Sequence, residues 1–248
     1  MTNTSETGHA KNVTNLESLI TSIIALGTTY NPSRDSIKLT ALQTLLNVSK
    51  ESLNTVNIAQ AAYSNAVAAR KVAFEPFGKL ITRVMNSLKA SGTSTQVVQS
   101  ARTIVRKLQG RRASAKITEE EKKALEAEGK EVNQISASQM SFDNRIENFD
   151  RLIMLLDSVP LYAPNEEELK ITSLKALQTT LKDTNTAVIT TNIQLSNARI
   201  ARNEILYKPI SGLVDIAFDT KVYIKSVYGA TSPQYKQISK LKFTNKKD

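Results

Sequence analysis

The chain has 248 residues, 40% hydrophobic and 23% charged, with a net charge of +10, a composition that can bury a sizeable core and does not fit wholesale disorder. It contains no Cys and a single His, His9, which excludes disulfides, thiolate metal sites, cysteine nucleophiles, histidine triads and Glu-x-x-His di-iron centres. With only 8 Gly, 6 Pro and no Trp, it has sparse punctuation for a β-rich fold, and long helices are expected.

The opening stretch, MTNTSETGHAKN, is polar and lacks the basic and apolar regions of a secretory signal. Residues 1–12 read as a disordered tail. The first amphipathic helix follows, with Leu16, Leu19, Ile20, Ile23 and Ile24 at helical spacing. A turn, TTYNPS, leads to Ser33 as a capping residue. From there a helix runs without Gly or Pro to Pro76, roughly 60 Å at about 1.5 Å per residue. Two shorter helices come next. Phe77, Leu80, Ile81, Val84, Met85 and Leu88 form one apolar stripe, and Val97, Val98, Ala101, Ile104, Val105 and Leu108 form another.

A charged linker, partly helical, is expected over 110–142, with Thr118 and Glu121 as a capping box, a helix to about Glu128 and a break at Gly129. The earlier pattern then returns. Ile146, Phe149, Leu152, Ile153 and Leu156 make an amphipathic helix, and the turn PLYAPN ends at Asn165 with Glu168 placed for a capping box. A second long helix runs to Pro209. Ser232 and Pro233 open a last helix as cap and first helical position, and it carries Tyr235, Ile238 and Leu241.

This return is an internal repeat. Setting Tyr30 against Tyr162 and running without a gap to Phe74 and Leu206 gives 13 identities in 45 positions, 132 residues apart. With one inserted residue, Phe74, Pro76 and Leu80 match Tyr207, Pro209 and Leu213, and NLESLITSII at 15–24 resembles ENFDRLIMLL at 147–156. The expected fold is all-α: an elongated helical bundle of two similar four-helix units from an internal duplication, at 13–109 and 143–244, with a basic tail at 245–248. Two copies are too few for a solenoid.

The sharpest repeated motif is SNAVAAR at 64–70 and SNARIAR at 196–202. Small residues let helices approach more closely than the usual separation, so Ser64, Asn65, Ala66, Ala69 and Arg70, with Ser196, Asn197, Ala198, Ala201 and Arg202, are candidates for a helix crossing or a pairing surface. Asn65 and Arg70 suit hydrogen bonds to a neighbouring helix.

No Gly-rich phosphate loop is present, and the repeated carboxylates sit near helix starts or among lysines, where dipole, capping and surface-pair roles suffice. No catalytic residue, metal ligand or cofactor site is assigned, and the chain is not expected to be an enzyme. No apolar run reaches the ~18 residues that cross a bilayer, so a soluble cytoplasmic protein is expected.

Charge is unevenly placed. Between Pro76 and Thr118 there is no acid, while Lys79, Arg83, Lys89, Arg102, Arg106, Lys107, Arg111, Arg112 and Lys116 are all cationic. The stretch from Thr220 to Lys247 repeats the bias with 7 lysines. Lys79, Arg83, Arg102, Arg106, Lys107, Arg111, Arg112 and Lys116 form the candidate anion-binding set, since phosphate contacts need positive charge without a base-reading module.

The segments YNPS, YAPN, SNARIAR and GATSPQYKQISKLKF at 229–243 resemble those of uncharacterised helical tandem-repeat proteins of Bacteroidetes bacteria. The resemblance implies a bacterial, cytoplasmic protein and supplies no activity. The expected function is a non-enzymatic structural or protein-interaction module that self-assembles or binds another protein. Nonspecific nucleic-acid binding through the basic helix faces is the alternative.

Overall fold

The computed structural model describes residues 7–111, 127 and 140–245. It is all-helical, with no strand among the described residues. In chain order the α-helices are α1 (Thr7–Leu26), α2 (Leu39–Phe74), α3 (Phe77–Ala90), α4 (Thr95–Leu108), α5 (Phe142–Asp157), α6 (Ile171–Tyr207), α7 (Leu213–Tyr228) and α8 (Pro233–Ser239). No helix is long and apolar enough to cross a membrane. The Thr118–Glu121 box, the helix to Glu128 and the break at Gly129 lie outside the described residues, as do Arg112, Lys116, Lys246 and Lys247.

Residues 7–12 are not a disordered tail but the first turns of α1. The reason lies in their partners. His9 is fully buried and its Nδ1 shares a 2.7 Å hydrogen bond with the hydroxyl of Tyr207, and Asn12 is buried against the segment after α8.

The two long helices start later than their apolar pattern suggests. A short 3₁₀ turn precedes each, Asp35–Ile37 and Glu167–Leu169, so neither Ser33 nor Asn165 caps a helix. A buried phenol holds each turn instead: Tyr30 donates to the carbonyl of Ile37 at 2.5 Å, and Tyr162 to that of Leu169 at 2.9 Å. Lys38 pairs with Asp35, and Lys170 with Glu167, both at 2.6 Å. Glu168, expected in a capping box, is ion-paired with Arg83. Serine caps do form at α4, α5 and α8, where Ser94, Ser141 and Ser232 accept from the backbone N–H of Val97, Asn144 and Tyr235, satisfying donors that a helix start leaves free.

The compact units do not follow the division into 13–109 and 143–244. One contains residues 1–64 and 191–248, and the other residues 65–190. Each therefore draws helices from both of these segments, and α2 and α6 contribute to both units.

In the first unit, Leu16, Leu19, Ile20 and Ile23 of α1 share a buried cluster with Leu213, Ala217 and Ile224 of α7, Ile238 of α8 and Phe243. Ile24, expected on the same stripe, is exposed. The second unit is built around Phe77, Ile81, Val84 and Leu88 of α3, Ala101, Val105 and Leu108 of α4, and Phe149, Leu152, Ile153 and Leu156 of α5. Three edge-to-face ring pairs run through it: Phe74 with Phe142, Phe74 with Phe77, and Phe77 with Phe149. The amphipathic stripes explain this choice, because each presents one apolar face that only burial against another such face keeps from water.

Candidate functional site

Small residues fill the middle of α2, yet most of the small SNAxxAR side chains expected at a close crossing face solvent. Ser64, Asn65, Ala69, Ser196, Asn197 and Ala201 are exposed, and Ala66 and Ala198 are half-buried. The arginines are the structural members, and Arg199, inside SNARIAR, donates to Gln60 Oε1 of α2 at 3.1 Å. Arg70 donates to Asn185 Oδ1 at 2.8 Å and lies 3.9 Å from the centre of the Phe142 ring, while Asn185 in turn donates to Asp143 at 2.7 Å. Arg202 is buried, and its Nε and Nη2 both donate to Asn203 Oδ1, at 3.0 and 2.8 Å. A second guanidinium of the second unit, Arg145, stacks 4.9 and 5.0 Å from the rings of Phe74 and Phe77, and burial lowers its pKa.

The cationic candidates divide by neighbourhood. Arg83 is engaged with Glu168. On α4, Arg102 is exposed and Arg106 and Lys107 half-exposed, with exposed Arg111 just beyond the helix. No ion pair involves Lys79, Arg102, Arg106, Lys107 or Arg111 among the described residues. In the later lysine-rich stretch, Lys221 is structural: its ammonium donates to the carbonyls of Ser239 and Leu241 at 3.2 and 2.9 Å, and burial lowers its pKa.

Sequence reasoning missed two features. The first is a pair of surface grooves that share Arg83. One, about 570 Å³, lies between α3 and the 161–169 turn, with Asn86, Ser87, Ala163 and Asn165 in its lining. The other, about 480 Å³, is lined by Pro76, Lys79, Leu80, Glu168, Ser173 and Leu177. Only packing across elements distant in sequence could reveal them.

The second was legible. Neither long helix carries a charged side chain from Ser52 to Ala69 or from Thr184 to Ala198, although much of both stretches faces solvent. Ile58, Ile189, Ile193 and Ile200 each expose more than half their surface, and the last three, at i, i+4 and i+11, fall on one side of α6.

Burial also tunes the two turn phenols. Loss of solvent pushes both Tyr30 and Tyr162 up to about 12, and a neighbouring hydroxyl, Thr220 for the first and Ser87 for the second, opposes that rise. Asp35 and Glu167 are held below the usual carboxylate range by hydrogen bonds from Lys38 and Lys170. These groups fasten turns.

No family model matches the chain, and no curated protein or solved structure is similar to it.

Proposed function

We propose that this chain is a non-catalytic helical interaction module, built from a duplicated four-helix sequence unit, which assembles with copies of itself through the uncharged faces of its two long helices. The observation that carries the reading is the exposed, charge-free stretch of α2 and α6 with Ile58, Ile189 and Ile193, continued on the same side of α6 by Ile200 just beyond Arg199. Charged residues are depleted at interface cores. Two copies carrying +10 each repel wherever their basic helices face one another, so the charge-free stretches are the favoured place of contact.

Recurring contacts support the duplication. The Tyr30–Ile37 and Tyr162–Leu169 hydrogen bonds lie 132 residues apart, as do the Asp35–Lys38 and Glu167–Lys170 ion pairs. Buried Asn15, Leu16, Leu19, Ile20 and Ile23 of α1 correspond to Asn148, Phe149, Leu152, Ile153 and Leu156 of α5 at a spacing of 133. A bacterial, cytoplasmic setting belongs to the same proposal and rests on the likeness of the YNPS, YAPN and SNARIAR segments described above.

Sedimentation velocity on the full chain tests this reading, comparing it with an Ile193→Lys/Ile200→Lys variant. An assembly that grows with concentration and collapses to monomer in the variant, at unchanged helicity and thermal midpoint, is expected. A monomer at every concentration rejects it.

A second reading, nonspecific nucleic-acid binding, is favoured by the cations along α4 that have no ion pair among the described residues. Fluorescence anisotropy with labelled duplex and single-stranded DNA tests it: affinity should fall steeply with salt, and Arg102→Gln/Arg106→Gln/Arg111→Gln should remove it. Absence of binding at low salt ends that reading.

A further inference from the structure

The groove of about 570 Å³ beside α3 has a filled counterpart within the same molecule. The helices α3 and α7 correspond with a spacing of 136, because Phe77, Ile81, Val84 and Leu88 on one, and Leu213, Ala217, Thr220 and Ile224 on the other, are all buried. This corrects the match of Leu80 with Leu213, since Lys208–Gly212 joins α6 to α7 where Glu75 and Pro76 suffice between α2 and α3. Ion pairs agree with the new register. Arg83 on α3 and Asp219 on α7, 136 apart, each bind a residue of the neighbouring turn, Glu168 and Arg34 respectively.

In this register Ser87 stands where α7 carries Tyr223. The Tyr223 ring packs edge-on against Tyr30 at 5.3 Å and 88°, and its hydroxyl accepts the N–H of Asn31 at 3.2 Å. In the other unit the smaller Ser87 lines the groove together with Ala163, the counterpart of Asn31, and Tyr162 lies buried outside its lining. Asn86 and Asn165 also line the groove, and neither side chain has a hydrogen-bond partner among the described residues.

We infer that this groove receives a tyrosine side chain presented by a partner polypeptide. The ring would lie between Ser87 and Ala163, the positions that match Tyr223 and Asn31 in the other unit, and its hydroxyl would find the amides of Asn86 and Asn165. Its volume falls in the range of pockets that hold small groups, and Tyr223, itself half-exposed, shows how deeply such a ring sits. The site is separate from the charge-free faces invoked for self-association, so either can fail alone.

The test is an NMR titration of the full chain with N-acetyl-tyrosinamide, with N-acetyl-phenylalaninamide and N-acetyl-alaninamide as controls. The tyrosine probe should shift the amide signals of Ser87, Ala90 and Ala163, the phenylalanine probe should do so more weakly, and the alanine probe should not. Ser87→Tyr should fill the groove with the chain's own ring, abolish these shifts and raise the thermal midpoint. In the other unit, Tyr223→Ser should lower the midpoint and create a new probe site whose shifts centre on Asn31. No shifts with the tyrosine probe, equal shifts with the alanine probe, or a Ser87→Tyr variant that binds the probe like the parent chain each overturn the inference.

Discussion

Asn12 closes two hydrogen bonds with the backbone of Thr244: its amide donates to the Thr244 carbonyl at 2.8 Å and its Oδ1 accepts the Thr244 N–H at 3.0 Å. Asn15, one turn on, donates to the carbonyl of Lys242 at 2.6 Å. Asn12→Ala removes both bonds and leaves a backbone pair without its partner, so the variant should lose about 2–3 kcal/mol in urea unfolding. A loss under about 0.5 kcal/mol would mean that this tie carries no stability.

Alkaline unfolding should report on the turn phenols. Burial pushes Tyr30 and Tyr162 up to about 12 in the folded chain, above the ordinary phenol value of about 10. Their neutral forms favour the folded state fully below pH 10; as pH rises through about 12 the unfolded chain sheds its protons first, and stability falls. The thermal midpoint should decline across this window, and less steeply in Tyr30→Phe/Tyr162→Phe. An equally steep decline in the double variant would assign the effect to other groups.

The turn before α7 stores strain. Ile210 has φ of 70°, the left-handed region that L residues with branched side chains avoid, and its N–H donates to Asp215 Oδ2 at 2.8 Å. Its side chain is 75% exposed and so contributes little packing. Ile210→Gly should therefore stabilise the chain by about 1 kcal/mol, and an unchanged or lower midpoint would contradict the strain.

Within SNAxxAR, stability should follow the arginine and not the alanines. Ala69→Leu and Ala201→Leu place methyl groups in solvent and should change stability by less than about 0.5 kcal/mol. Arg70→Ala cuts the link to Asn185 and uncovers Phe142, and should cost about 1–3 kcal/mol. The reverse order, measured by denaturant titration, would restore the close-crossing picture.

The elements were legible where one face alone decides them. The stripe through Phe77, Ile81, Val84 and Leu88 identifies α3 because four residues at helical spacing can share only one side. What covers a stripe is not written in its period: Leu16 could meet any apolar face, and it meets α7 because the packed chain brings residues 213–224 there. Polar residues misled for a related reason. His9 and Asn12 look solvated in a sequence of Asn, Thr and Ser, and only Tyr207 and Thr244, about 200 residues away or more, make their burial affordable. The turn tyrosines show the limit on capping rules, since a 3₁₀ turn whose Ile37 or Leu169 carbonyl accepts a buried phenol separates Ser33 and Asn165 from the helices they are expected to cap.

The two units differ in how the ribosome can deliver them. Residues 65–190 form one uninterrupted piece of chain, whereas the other unit joins 1–64 to 191–248. During vectorial synthesis α1 leaves the exit tunnel well before α7, so its apolar face meets α7, and Asn12 meets Thr244, only after residues 213–244 have been made. Closing a loop of that length is entropically slow. α1 must therefore wait for α7, with part of the cluster of Leu16, Leu19 and Ile23 unfilled, and that interval is when the nascent chain most needs shielding from its neighbours.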